Sequence, residues 1–223
     1  YKRQMIPVVV LQTIAANLGS MLTPIGNPQN LYLYGLAGTG IGEFIMWLLP
    51  YTIASALLLV ISILLIKNKN EIICIEDTDS EAAHNTSVPR VMAYSVLFIL
   101  ALLVVARVLT WYILAAAVLI TVLLLEKNVL AKADYALLLT FIGFFIFTGN
   151  MGRVESVAHF LAGIVKGREL EAGIITSQCI SNVPAALLLS EFTDNIKNLS
   201  IGVNIGGLGT LIALSLIHIS EPT

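Results

Sequence analysis

Two short polar clusters interrupt apolar stretches of this sequence, and both offer neutral oxygen atoms. The first, residues 23–30, reads TPIGNPQN, and the second, residues 181–184, reads SNVP. Hydroxyl, carboxamide and peptide oxygens suit a hard cation such as Na⁺, whereas the N-terminus of a half-helix suits an anion. The clusters therefore predict a small-ion site. The alternative is that small polar residues only join helices, and we prefer that interpretation for an isolated residue such as Asn150.

The prolines and the glycine of the first cluster cannot all lie inside a regular helix. We predict a helix near residues 7–22, a break at residues 23–30 and a second short helix from about Leu31. Broken backbone at membrane depth persists only where protein or water satisfies it, typically around a binding site.

The second cluster lies in the middle of the apolar residues 172–190. Two interpretations are open, because Pro184 would break a helix there. The segment either crosses the membrane with a kink or forms a re-entrant hairpin with SNVP at its tip. Each arm of the hairpin would hold about nine residues, roughly half a bilayer at about 1.5 Å per residue.

The composition is that of a multi-pass membrane protein. Apolar residues make up 57% of the 223 residues, charged residues 12%, and the net charge of -2 gives no indication of a nucleic-acid partner. Uncharged stretches long enough to cross a bilayer with some tilt occupy residues 44–66, 91–106, 108–125 and 135–152. Residues 153–170 are amphipathic, which predicts an interfacial helix with His159 on its wet side.

The proposed spans contain no titratable residue in their interiors. A proton relay needs such a group, and an embedded hydrolase needs an activated nucleophile or a metal with His or carboxylate ligands. We interpret Cys74 and Cys179 as free thiols, since two distant cysteines are a poor disulfide or metal signal. An enzyme is therefore not expected, and neither is a cofactor other than Na⁺ as a coupling ion.

An internal repeat relates the two ends of the sequence. Residues 17–23 read NLGSMLT, and residues 204–210 read NIGGLGT. Each copy lies on an apolar helix, and related broken helices in two halves are typical of a transporter site. We expect Asn17 and Asn204 to brace the breaks as symmetric partners, in repeats of opposite direction if residues 172–190 form a hairpin.

With TPIGNPQNLYLY, SNVPAALLLS and GVNIGGLGTLIA, residues 4–213 resemble the citrate-transporter-like permeases of the ion transporter superfamily. That group includes divalent anion/sodium symporters, arsenite permeases and certain sodium/proton antiporters. The resemblance implies an all-α, multi-pass membrane fold of two inverted repeats, each with a re-entrant hairpin and a broken helix. It also implies a homodimer in the plasma or inner membrane.

On this resemblance the chain is a fragment with four segments. Residues 1–66 end the first repeat, residues 67–90 form an acidic cytoplasmic linker, and residues 91–213 form a truncated second repeat. We interpret residues 214–223 as translated sequencing-adapter sequence. Because the first hairpin is missing, we expect that the fragment does not transport alone.

The resemblance also implies roles for residues. In sodium/dicarboxylate members a Ser-Asn-Thr motif at each hairpin tip contacts substrate carboxylate and sodium, and a loop glycine and proline lie beside them. Val183 replaces the threonine and lacks its hydroxyl. The implied substrate ligands are Thr23, Asn27, Pro28, Ser181, Asn182, Val183, Pro184 and Thr210, and the implied sodium ligands are Gly26, Asn27, Asn182 and Ala213.

The sequence thus predicts a secondary active transporter of a small anion, of citrate, dicarboxylate or oxyanion type, coupled to sodium. Its partners would be the substrate ion and the lipid bilayer. A sodium/proton antiporter and an arsenite permease remain alternatives within this class. A passive channel or a structural membrane subunit is the alternative of another class.

Overall fold

The computed structural model describes residues 2–65 and 88–208, and within these ranges every regular element is an α-helix. The all-α class is therefore confirmed. The helices are α1 (Lys2–Met21), α2 (Pro28–Ala37), α3 (Ile41–Leu65), α4 (Val88–Val105), α5 (Trp111–Leu125), α6 (Lys127–Ala131), α7 (Tyr135–Met151), α8 (Glu155–Val165), α9 (Glu169–Ile180), α10 (Asn182–Ser190) and α11 (Ile196–Gly206). They form two compact units, residues 1–64 with 135–223 and residues 65–134.

The unit of residues 65–134 contains an antiparallel pair, α4 and α5. Arg90 at the start of α4 lies 3.6 Å from the carboxylate of Glu126, just after α5. The chain turns before α5, with Arg107 at φ 59. This turn uses the first residues of the predicted span 108–125, so α5 has only 15 residues and is shorter than a bilayer requires. Most of the predicted linker, residues 67–87, lies outside the described residues.

Two described helices, α3 and α4, are long and apolar enough to cross a membrane, and the bent pair α7–α8 is a third candidate. Helix α8 leaves α7 at an angle of 96°. The amphipathic helix is thus confirmed but runs over residues 155–165, shorter than the predicted 153–170, and His159 is exposed on it. Most apolar side chains of these spans are exposed, as expected for helices that face lipid.

The first broken helix is confirmed with a correction to its bounds. Helix α1 begins ahead of Pro7 and ends at Met21, and α2 begins at Pro28, so the break covers residues 22–27 rather than 23–30. Proline suits the first position of a helix, where its fixed φ fits and its missing N–H would have no partner. Asn27 caps α2 by accepting a hydrogen bond from the Asn30 amide at 2.8 Å.

Helices α9 and α10 form a hairpin, which decides between the two interpretations of this segment. Only Ser181 separates them, at φ 75, and it is the break, whereas Pro184 lies in the first turn of α10. Helix α11 runs parallel to α9, since Gly202 contacts Leu170 and Gly206 contacts Ser177. Because α10 connects the end of α9 to the start of α11 in the sequence, it must run antiparallel to both.

Small residues let α9 and α11 pack with their backbones in contact. Gly202 and Gly206 on α11 face Gly173 and Ser177 on α9. A Cβ atom on Gly206 would lie 2.8 Å from the carbonyl oxygen of Ile174. Pairs of small residues four positions apart are the usual way in which membrane helices approach this closely. The hairpin is thereby fixed against α11.

A single buried core holds α2 and α8 to this arrangement. It contains apolar residues from α2, α8, α9, α10, α11 and the α10–α11 connection, namely Leu33, Val165, Ala172, Ala185, Ala186, Leu189, Phe192, Leu199 and Val203. The phenol of Tyr32 on α2 and the hydroxyl of Ser190 on α10 are hydrogen-bonded at 3.1 Å. The end of α10 is thus attached to the broken helix.

The contact between α9 and α11 predicts that Gly206→Ala destabilises the protein. The added methyl group meets backbone, and overpacking typically costs about 1–3 kcal/mol. We expect a lower midpoint of thermal unfolding for the purified protein in detergent. Gly163→Ala is the matched control, because a Cβ atom there meets nothing within 4 Å. Equal midpoints for the two variants would contradict the described packing.

The base of the hairpin predicts a pH-dependent contribution from Glu169. Burial of the carboxylate acts to raise its pKa, but hydrogen bonds from the Gly167 amide at 2.9 Å and the Thr193 hydroxyl at 3.1 Å outweigh this and lower the pKa below its ordinary value. A lowered folded-state pKa gives stability that is present above the unfolded pKa and is lost as the pH falls through the folded one.

We therefore expect Glu169→Gln to lower the thermal midpoint near neutral pH, and the difference from the parent to shrink below about pH 4. Thermal unfolding measured across this pH range checks the expectation. Glu171→Gln is the control, since this neighbour on α9 is exposed. A difference that does not depend on pH would contradict the assigned hydrogen bonds.

Candidate functional site

The break between α1 and α2 is a compact turn closed by Asn30. Its side-chain nitrogen donates to the carbonyl oxygens of Met21 at 2.7 Å and Thr23 at 3.2 Å. The Gly26 amide donates to the Thr23 carbonyl at 3.1 Å. Asn30 is fully buried. One carboxamide thus satisfies peptide oxygens that the end of α1 leaves without a helical partner.

The same turn folds back onto the last turn of α1, and this requires glycine at residue 26. A Cβ atom there would overlap the backbone of Ser20. The side-chain nitrogen of Asn27 lies 3.3 Å from the Ser20 carbonyl oxygen and 3.4 Å from its hydroxyl. Asn27 therefore both caps α2 and ties it to α1.

Asn204 on α11 joins this break to the second half of the unit. Its side-chain nitrogen donates to the side-chain oxygen of Asn30 at 2.6 Å, and its oxygen accepts from Asn27 at 3.3 Å. Asn17 on α1 in turn donates to the carbonyl oxygen of Gly207 at 3.3 Å. Asn204 thus contacts the first break, and Asn17 contacts the end of α11, so each repeat asparagine contacts the other half. The second break, predicted near Thr210, lies outside the described residues.

The hairpin tip lies against the end of α11. The carboxamide of Asn182 packs on Gly207 so closely that a Cβ atom there would overlap it. Gln178 donates to the carbonyl oxygen of Gly206 at 2.6 Å. Because α9 ends and α10 begins on either side of Ser181, the negative end of one helix dipole and the positive end of another meet at this residue.

Two buried oxygens at the tip have no hydrogen-bond partner. The described residues contain four such side-chain oxygens, and the Ser177 hydroxyl and the Asn182 carboxamide oxygen are two of them. Ser177 is fully buried. Buried polar atoms are almost always paired, and each exception needs an explanation. An ion held between the tip and α11 would supply the missing partner.

The structure brings the predicted site residues to two places joined by α11. Ser181, Asn182, Val183 and Pro184 lie at the tip, and Thr23, Gly26, Asn27 and Pro28 lie at the first break. Asn204 contacts the break and Gly207 contacts the tip. Thr210 and Ala213 lie outside the described residues. Among described residues, no group of three or more His, Cys, Asp or Glu could hold a metal ion.

Sequence reasoning missed Ser177, Gln178 and Gly207. A signal for Ser177 was present, because it lies four residues before Ser181 and therefore one turn away on the same helix face. Gly207 gave no local signal, since its partner Asn182 is distant in sequence and only the hairpin brings them together. Gln178 could not be told from an ordinary polar residue that joins membrane helices.

The sequence is similar to a known family and to curated relatives. Residues 1–217 match the family described as citrate transporter. The chain is 37% identical over 207 residues to the uncharacterized transporter MJ0456 of Methanocaldococcus jannaschii. It is 30% identical over 219 residues to the inner membrane protein YbiR of Escherichia coli strain K12.

Each of these matches covers 92% of the chain and 55% of the relative, so the chain spans about half the length of the curated relatives. No solved structure matches it. The length of the family match, together with the two relatives, settles the assignment: the chain belongs to the citrate transporter family.

Proposed function

We propose that this chain is part of a secondary active transporter that carries a small anion of the citrate or dicarboxylate type across the plasma or inner membrane, with Na⁺ as the coupling ion. The observation that carries the proposal is the pair of buried oxygens without partners, on Ser177 and Asn182, beside the end of α11. Membership of the citrate transporter family supports the anion, and the apolar spans support the membrane.

A sodium ion suits the α9 side of the tip. The Ser177 hydroxyl and the Asn182 carboxamide are neutral oxygen ligands, and the C-terminus of α9 adds partial negative charge. Gln178 and Asn17 donate to the carbonyls of Gly206 and Gly207 and hold the facing backbone. Gly26, Asn27 and Ala213 stay sodium candidates on the family resemblance alone.

A carboxylate suits the α10 side of the tip. The first N–H groups of a helix lack intrahelical acceptors and point partial positive charge outward. Ser181 precedes this helix start, and Val183 lies in its first turn. The same start suits an oxyanion, and Val183 lacks the hydroxyl that contacts a carboxylate in sodium/dicarboxylate members, so an oxyanion or arsenite permease is the second candidate.

The remaining alternatives predict different behaviour. A sodium/proton antiporter needs a titratable group, and the site residues named at the two breaks are all neutral. A passive channel or structural subunit predicts no saturation and no sodium dependence. No catalytic step is proposed, and a homodimer of the complete protein is proposed on the resemblance.

The test removes one ligand at a time from the complete reading frame that contains this sequence. Citrate uptake into proteoliposomes under a sodium gradient is measured for Ser177→Ala and Asn182→Ala. Loss of a charge-assisted ligand costs about 1.5–3 kcal/mol, so we expect the half-saturating Na⁺ concentration to rise by about tenfold or more. Membrane insertion should stay unchanged, because neither oxygen has a partner within the protein.

Ser62→Ala is the matched control, since this serine bonds only within α3 on an exposed face. Normal sodium dependence in both tip variants would remove the site. Uptake that does not saturate and ignores sodium in the parent would favour the channel. A parent that transports arsenite but not citrate would favour the second candidate.

A further variant tests the support of Asn182. In Gly207→Ala the added methyl group occupies the place of the carboxamide, so we expect a loss of sodium affinity similar to that of Asn182→Ala. The same uptake assay measures it. Gly19→Ala is the control, because a Cβ atom there meets nothing within 4 Å. Unchanged affinity in Gly207→Ala would show that this contact does not position the ligand.

A further inference from the structure

The last turn of α11 contacts both halves of the candidate site. Residues 204 and 207 lie within one helical turn, because the Gly207 amide still bonds the Val203 carbonyl at 3.1 Å. We infer that Asn204 is a positioning residue that couples ion occupancy at the hairpin tip to the shape of the first break. This inference rests on the proposed ion site at Ser177 and Asn182.

The hydrogen bonds of Asn204 fix its carboxamide in one orientation. The nitrogen donates to the Asn30 side-chain oxygen at 2.6 Å and to the Ser200 carbonyl at 2.8 Å, while the oxygen accepts from Asn27 at 3.3 Å. A flipped carboxamide would place its oxygen against two other acceptors. Asn204 and Asn30 are 4% and 0% exposed, so water does not compete for these bonds.

The opposite side of the last turn of α11 contacts the hairpin tip. Asn182 packs directly on Gly207, and the Gly207 carbonyl accepts from Asn17 on α1. An ion bound by the Ser177 hydroxyl and the Asn182 oxygen would act on a carboxamide that packs against Gly207. We expect an adjustment of that carboxamide to reach the last turn of α11 through this contact.

Hydrogen bonds carry this adjustment to the first break. Asn27 caps α2 and Asn30 closes the turn at residues 22–27, so both groups that shape the break contact Asn204. The side chains that link the two places are neutral, so packing and hydrogen bonds rather than fixed side-chain charges join them. Coupling between binding sites typically amounts to about 5–150-fold in affinity.

The experiment measures the first break and the hairpin tip separately, with one reporter cysteine at each. In the complete protein with Cys74 and Cys179 replaced by serine, a reporter cysteine replaces either Ile25 in the break, 45% exposed, or Ile180 beside the tip, 42% exposed. The rate of maleimide labelling is measured as NaCl replaces choline chloride. Ser177→Ala should shift the Na⁺ midpoint at least fivefold at both reporters.

Asn204→Leu keeps the branching and the number of heavy atoms of the side chain but removes its three hydrogen bonds. In this background, we expect labelling at residue 25 to lose its response to Na⁺, whereas residue 180 keeps a response whose midpoint Ser177→Ala still shifts at least fivefold. A purely structural role would change both reporters alike. Asn198→Leu, in the first turn of α11, is the control and should leave both shifts intact.

Each outcome decides something. A fivefold shift at residue 25 that persists in Asn204→Leu overturns the coupling but leaves the ion site standing. A parent without any response to Na⁺ at either reporter removes the proposed ion site itself. If Asn204→Leu does not fold, Asn204→Ala removes the same three hydrogen bonds without adding a bulkier side chain, and an unreduced Na⁺ response at residue 25 in that variant overturns the inference.

Discussion

Peptide groups set free at the breaks must find partners inside the protein, and asparagine carboxamides supply them. Asn30 donates hydrogen bonds to carbonyl oxygens at the end of α1, and Asn27 caps the start of α2. Asn204 is hydrogen-bonded to both of these asparagines. In an apolar surrounding, each peptide group without a hydrogen bond would destabilise the fold by about several kcal/mol. The same cost restricts membrane spans to helices. Without these side chains the break would have no fixed shape, and the site would have no first half.

The second half depends on how closely α9 and α11 approach. Gly202 and Gly206 leave room for the backbone of α9, and this places the end of α11 beside the hairpin tip. The same approach brings Asn204 to the first break, since it projects from the same last turns. Packing and polar contacts therefore depend on each other. Small residues set the distance between α9 and α11, and this distance allows the asparagine carboxamides to form their hydrogen bonds.

The sequence contained the element types and the site clusters but not their connections. The broken helix could be predicted from Pro and Gly, and the hairpin with SNVP at its tip was one of the two interpretations that the sequence left open. The internal repeat singled out Asn17 and Asn204 but did not show that each contacts the other half. The sequence predicts the start of α2 at about Leu31, whereas the helix begins at Pro28. The prediction assigned Pro28 to the break, although proline suits the first turn of a helix. The crosswise contacts could not be predicted, because they depend on the parallel packing of α9 and α11.

On the proposed function, the neutrality of the site explains why two ions would bind together. A single residue, Ser181, separates the negative end of α9 from the positive end of α10, with each end worth about half an elementary charge. A cation near Ser177 and an anion near the start of α10 would each reduce the cost of the other. A fixed charge at the tip would favour one ion in the absence of its partner. Neutral oxygens and opposed helix ends would instead favour joint occupancy, which is what the proposed coupled transport of an anion with sodium requires.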